Sequence, residues 1–168
     1  MPGKAGKKKI PPQWEEELLD CIPRYGHRNW IVVADSAYPL QSSAGIRIFV
    51  CHDSQFAVLR SVLAAIGKHQ HLKPVVHTDA ELQFVDEQDA PGVSAYRKQL
   101  AATLGEFNVQ VLPHEQIIAK LDKTSVIYEV LILKTDLTIP YTSIFLELYC
   151  RYWNAEAEKR LRERMSAR

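Results

Sequence analysis

The chain has 168 residues, a formal net charge of +1 and 46% hydrophobic side chains, the size and balance of one globular domain with a real core. Without a concentrated basic face it gives no electrostatic reason to expect nucleic acid. No apolar run approaches the ~20 residues of a membrane span, and the first residues lack the apolar centre of a signal peptide. Three widely spaced cysteines, Cys21, Cys51 and Cys150, form neither a disulfide framework nor a CxxC metal site. The expectation is a cytoplasmic protein with buried thiols and neither a nucleic-acid nor a membrane partner.

Taken in chain order, residues 1–10 form a Gly/Ala/Lys stretch with little to bury and read as a disordered basic tail. Pro11 and Pro12 open a helix whose Glu15, Glu16 and Glu17 suit its positive end. Trp14, Leu18, Cys21 and Ile22 share one face, and Pro23 and Gly26 stop it. Trp30 to Ala34 is a continuous apolar run, the mark of a strand buried on both sides of a parallel sheet. Ile46 to Cys51 is a second strand. Asp53 is the expected cap of a helix to about Lys68, with Phe56, Leu59, Val62, Leu63 and Ile66 as its stripe. Val75 to His77 reads as a short strand at an edge, and Asp79 to Gly92 as an irregular surface excursion.

A helix over about 93–104 then ends at Gly105, a strand runs from Val109 to Leu112, and His114 to Leu121 is helical. Val126 to Leu133 and Ser143 to Leu148 are β-rich and separated by a Thr/Asp/Pro turn, which predicts an antiparallel pair beside the parallel strands. A charged helix over Ala155 to Met165 closes the chain. The whole reads as an α/β protein: a Rossmann-like, mainly parallel sheet flanked by helices, with β-strands toward the C-terminus. Its expected division is a tail over 1–10, a single domain over 11–150 and a C-terminal helix within 151–168.

Four places carry chemistry. Asp35 follows the carboxyl end of a predicted parallel strand, where open α/β sheets place ligands, and His27 precedes the same strand. His114-Glu115-Gln116 and Pro140-Tyr141-Thr142-Ser143 lie far downstream. A histidine, a carboxylate and a hydroxyl-bearing turn are the parts a proton-shuttling site for a polyol needs. Tyr38, in the segment after Asp35, is placed to close over a small ligand. Other constellations have plain readings. His69, His71, His77 and Asp79 can be drawn as a metal cluster, but a solvated helix end and edge strand explain them equally well. Ser42 to Gly45 lacks the glycine spacing and lysine of a phosphate loop. Cys51 and His52 are adjacent strand residues that point to opposite faces.

The order of these motifs resembles the D-ribose pyranase and L-fucose mutarotase family. Arg24-Tyr25-Gly26-His27, the apolar strand, Asp35, Ala37 and Pro39 resemble its Arg-x-Gly-His, strand, Asp-Ala-x-x-Pro motif. His114-Glu115-Gln116 resembles its His-Glu-Gln stretch. Pro140-Tyr141-Thr142-Ser143-Ile144 resembles its Pro-Tyr-Ala-Asn-Ile motif, with Ser143 in place of the asparagine and Thr135-Asp136 near the place of an upstream Gly-Glu. The resemblance implies that His27 is the catalytic general acid/base and that Asp35, His114, Tyr141, Ser143 and Asp136 bind the sugar. It implies a homo-oligomeric ring, often a decamer, with sites at subunit contacts. The implied activity is cofactor-independent interconversion of monosaccharide anomers or ring forms, and no metal or redox cofactor is expected. The alternative is a catalytically weak member that binds a sugar through the same pocket, because serine offers one short hydroxyl where asparagine offers an amide.

Overall fold

The computed structural model describes residues 11–167, so the expected basic tail lies outside the described residues. Two buried apolar runs organise the chain. Trp30–Ala34 (β1) is wholly buried and Val130–Lys134 (β5) nearly so, because both lie inside a six-stranded sheet covered on its two faces. They pair in parallel, Ile31 beside Leu131 and Val33 beside Leu133. Ile46–Val50 (β2) adds a parallel edge to β5, and Leu72–Asp79 (β3) pairs in parallel with Val109–Leu112 (β4) at the other edge.

Ile144–Cys150 (β6) joins the two halves by running antiparallel to both β1 and β3, giving the order β2-β5-β1-β6-β3-β4. The expected hairpin between the last two β-rich runs therefore does not form, since β1 lies between β5 and β6. The nine residues 135–143 cross the end of β1 instead. Thr135 holds this crossing in place: its backbone N and its hydroxyl both donate to the Ala34 carbonyl, at 2.9 and 2.8 Å. Val126 to Glu129 stay outside the strand because α4 runs on past its expected end at Leu121.

Helices Gln13–Cys21 (α1), Gln55–Gly67 (α2) and Val93–Leu104 (α3) pack on one face against Ile31, Val33, Leu131, Leu146 and Leu148. His114–Ser125 (α4) covers the other face through Ile117 and Leu121, over Trp30, Val32, Ile132 and Phe145. The helix cap expected at Asp53 is one residue later: the Ser54 hydroxyl accepts from Ala57 N at 3.2 Å, while Asp53 accepts from Ser54 N. Gly45 is required where β2 begins, because a Cβ there would collide with the backbone oxygens of Ser125 and Tyr128. Ala155–Ser166 (α5) buries none of its residues.

β3 differs most from its expectation. It is eight residues long and interior, and it includes Pro74. Its inward face carries His77, 1% exposed, which bonds Glu147 at 2.8 Å and stacks on Trp30. His71 bonds the Tyr25 carbonyl and meets His69 edge-on, whereas His77 bonds Glu147 and Asp79 bonds His114, so the drawn metal cluster is split. Among the described residues no three His, Cys, Asp or Glu side chains are grouped to hold a metal ion.

Candidate functional site

The sheet register sets the site. Val33, Ile144 and Thr78 lie side by side on β1, β6 and β3, so the residues one or two positions further along at this end open onto the same place. Asp35 follows β1, Ser143 precedes β6 and Asp79 ends β3. Leu112 of β4 pairs with Asp79, and the chain turns at Pro113 to begin α4 at His114. Four segments distant in sequence thus line one open cleft of about 380 Å³, together with Tyr38, Gln41, Glu115 and the Pro140-Tyr141 turn. That volume lies within the ~300–1,000 Å³ usual for small-molecule sites.

Each polar group is held by another. The Ser143 hydroxyl donates to Asp35 Oδ1 at 2.9 Å and lies 3.3 Å from Asp35 N, which fixes the carboxylate at the cleft wall. Asp79 Oδ2 lies 3.0 Å from His114 Nδ1, and both oxygens of Glu81 accept from His114 N, at 3.1 and 3.0 Å. Burial pushes the Asp79 carboxyl up from its ordinary 3.8 to about 6, against the opposing pull of the adjacent His114. The Tyr141 ring meets the His114 ring edge-on, centroids 5.7 Å apart. Tyr38 forms part of the floor instead of closing over the cleft: it is 5% exposed, packs on Phe145 and donates to Gln41 at 3.1 Å.

The turn bearing Tyr141 is locally costly, since Tyr141 has φ +57°, a left-handed conformation that side chains disfavour. Its neighbour is anchored from below. Gln55 Nε2 donates to the Thr142 carbonyl at 2.8 Å, and Tyr96 Oη lies 3.0 Å from the same oxygen and 2.5 Å from Gln55 Oε1. The Thr142 hydroxyl donates to Ile139 O at 2.6 Å. Helices α2 and α3 thereby hold the turn in place.

Asp35, His114, Tyr141 and Ser143 are brought together; His27 and Asp136 are not. His27 was expected beside Asp35, yet it precedes β1 while Asp35 follows it, and the five strand residues between them alone span roughly 16 Å. His27 sits exposed on a turn closed by reciprocal bonds between Gly26 and Asn29. It packs edge-on against Tyr149 and lines a broader depression of about 770 Å³ with Val75 and Trp153. Asp136 lines a different recess beyond β5, 3.6 Å from His52 in an exposed ion pair.

A model of the RbsD / FucU transport protein family matches residues 8–148. The chain belongs to this family. Solved RbsD / FucU structures share its fold. The RbsD of Bacillus subtilis complexed with D-ribose matches with a TM-score of 0.55 at 19% identity, over 85% of this chain and 96% of that one. The fucose mutarotase of Streptococcus pneumoniae in complex with L-fucose matches with a TM-score of 0.55 at 20% identity, over 84% and 98%. FucU from Bifidobacterium longum matches at 16% identity with a TM-score of 0.53. No curated protein sequence matches the chain. Asp79 and Gln41 line the cleft without having been among the expected site residues, and Glu115 was singled out only within the His114-Glu115-Gln116 stretch. Asp79 was recoverable by the rule that selected Asp35, had its strand been extended past His77.

Proposed function

We propose that this protein is a cofactor-independent monosaccharide mutarotase or pyranase working in the cytoplasm. The observation that carries the reading is the convergence of Asp35, His114 and Tyr141 on one cleft at the carboxyl ends of β1 and β3. Family membership and neighbours solved with ribose and fucose support a monosaccharide as ligand. The three free thiols fit a reducing compartment.

Exchange of anomers needs a proton delivered to the ring oxygen and one withdrawn from the anomeric hydroxyl; the ring opens to a carbonyl and recloses. Histidine suits both transfers because its unperturbed pKa of ~6.5 lets it give and take protons near neutrality. In this reading Asp35 and Tyr141 hold sugar hydroxyls, and His114 faces the reacting end. His27 reaches the cleft from a second copy of the chain in a homo-oligomer. The rigid Gly26–Asn29 turn, which presents His27 outward, supports that arrangement. Asp136 is left as a contact to substrate only if the neighbouring copy extends the cleft toward β5.

One observation favours the second reading, a sugar-binding member with weak turnover. The Ser143 hydroxyl donates to Asp35 and so orients the carboxylate instead of meeting a sugar. Variants separate the two. His27→Ala and Asp35→Asn should each slow anomer exchange at least ~10²-fold. Mixed copies of the two should regain about a quarter of the sites, because an intact His27 then meets an intact Asp35 at some contacts. Undiminished exchange by His27→Ala removes that residue from the mechanism, and wild-type binding without exchange selects the second reading.

A further inference from the structure

We propose that Asp79 is a positioning residue: its buried carboxylate accepts a hydrogen bond from the Nδ1–H of His114, so that Nε2 is the nitrogen the ring offers to the cleft. The inference deepens the sugar-isomerase reading of the same cleft and rests on it for its catalytic consequence.

The geometry is a two-point hold. Asp79 and Glu81 leave the end of β3 two residues apart and grip one histidine, Glu81 by its backbone N–H and Asp79 by its ring. With the start of α4 fixed and Nδ1 bonded at 3.0 Å, the imidazole has no free rotation about its side-chain bonds. The Tyr141 ring stands across its path at 80°. An ionised carboxylate only accepts hydrogen bonds, so the neutral imidazole facing it must carry its proton on Nδ1. Nε2 is then a bare lone pair, ready to accept a proton from a hydroxyl, and the imidazolium formed is held against a buried anion.

Asp79 is unlike the other acids of the cleft. Its side chain has no exposure, and its second oxygen, Oδ1, is buried without a partner, so it acts on a ligand only through His114. Asp35 is half-buried at the cleft wall and Glu115 is exposed on the first turn of α4. The groups that face His114 are therefore Asp79 from β3, Glu81 from the turn after it, Tyr141 from the crossing loop, and Glu115 and Asp35 at the cleft. Among the described residues only Asp79 touches the ring with a charge at hydrogen-bond distance.

The test uses the full-length protein with ¹⁵N-labelled histidine. His114→Gln identifies the His114 ring signals by their loss. At pH 8 the wild type should show His114 as the Nδ1–H tautomer, and Asp79→Ala should lose that bias while Asp79→Asn, which keeps an acceptor oxygen, retains much of it. In the anomer-exchange assay, Asp79→Ala should lower the rate at saturating sugar by about tenfold or more with little change in KM. A wild-type His114 protonated on Nε2 overturns the proposal without any variant needing to fold. Unaltered exchange by a folded Asp79→Ala overturns it as well. Should the wild type exchange no sugar at all, the isomerase reading fails, and the tautomer measurement still decides the role of Asp79.

Discussion

Replacing Asp79 by asparagine should make the protein more stable at neutral pH, although it removes a charged hydrogen bond. Burial raises the Asp79 carboxyl from 3.8 to about 6, with His114 acting in the opposite direction. A group whose folded pKa lies above its unfolded value binds more protons in the native state between the two values. Its contribution is therefore fully present below pH ~4 and is lost as pH rises through about 6. At about 1.4 kcal/mol per pH unit, ionising Asp79 in the folded protein costs about 3 kcal/mol by pH 7. Urea unfolding of wild type and Asp79→Asn at pH 4, 5, 6 and 7 reads this directly, since the titration of distant groups cancels in the difference. The variant's advantage should grow from near zero at pH 4 toward about 3 kcal/mol at pH 7. Repeating the comparison in a His114→Gln background should enlarge it, because burial is then unopposed. A difference that does not change with pH, or that favours the wild type as pH rises, refutes the reasoning.

Three further outcomes follow from the packing. Burial works to raise the Glu147 carboxyl, but the His77 bond and Lys120 bring it below its ordinary value. Glu147→Gln should therefore lose about 1–3 kcal/mol at pH 7, a deficit that closes as pH falls below its ordinary ~4.5 and is measured by the same urea series. Phe145→Ala, which empties a site with no exposure between α4 and the sheet, should cost about 3–5 kcal/mol in equilibrium unfolding. Deleting residues 155–168 should change the stability of the isolated fold by less than ~0.5 kcal/mol, because α5 buries nothing.

Long apolar runs and helix punctuation were legible in the sequence because they are local. Trp30 to Ala34 can only be a fully buried strand, and the Trp14, Leu18, Cys21 stripe needs no tertiary information. Pairing was not legible. The antiparallel β6 between β1 and β3 is selected by the crossing over Ala34 and by Thr135, neither of which leaves a mark in periodicity. The same limit governs the site. Asp35 and the Tyr141 turn were found by position and motif, whereas His27, read as acting with Asp35, is separated from it by the full length of β1, a distance that a shared motif does not reveal. Asp79 was within reach of the rule that found Asp35 but depends on where β3 ends, while the Gln55–Tyr96 support of Thr142 depends on which helices meet and follows only from the assembled fold.

Saturation-transfer NMR between the anomers of D-ribose and of L-fucose, with and without the full-length protein, shows whether the protein is a sugar isomerase. Exchange well above the buffer rate is expected for at least one monosaccharide, abolished by Asp35→Asn. Exchange no faster than buffer for every sugar tried, from a folded protein with its cleft intact, would contradict it.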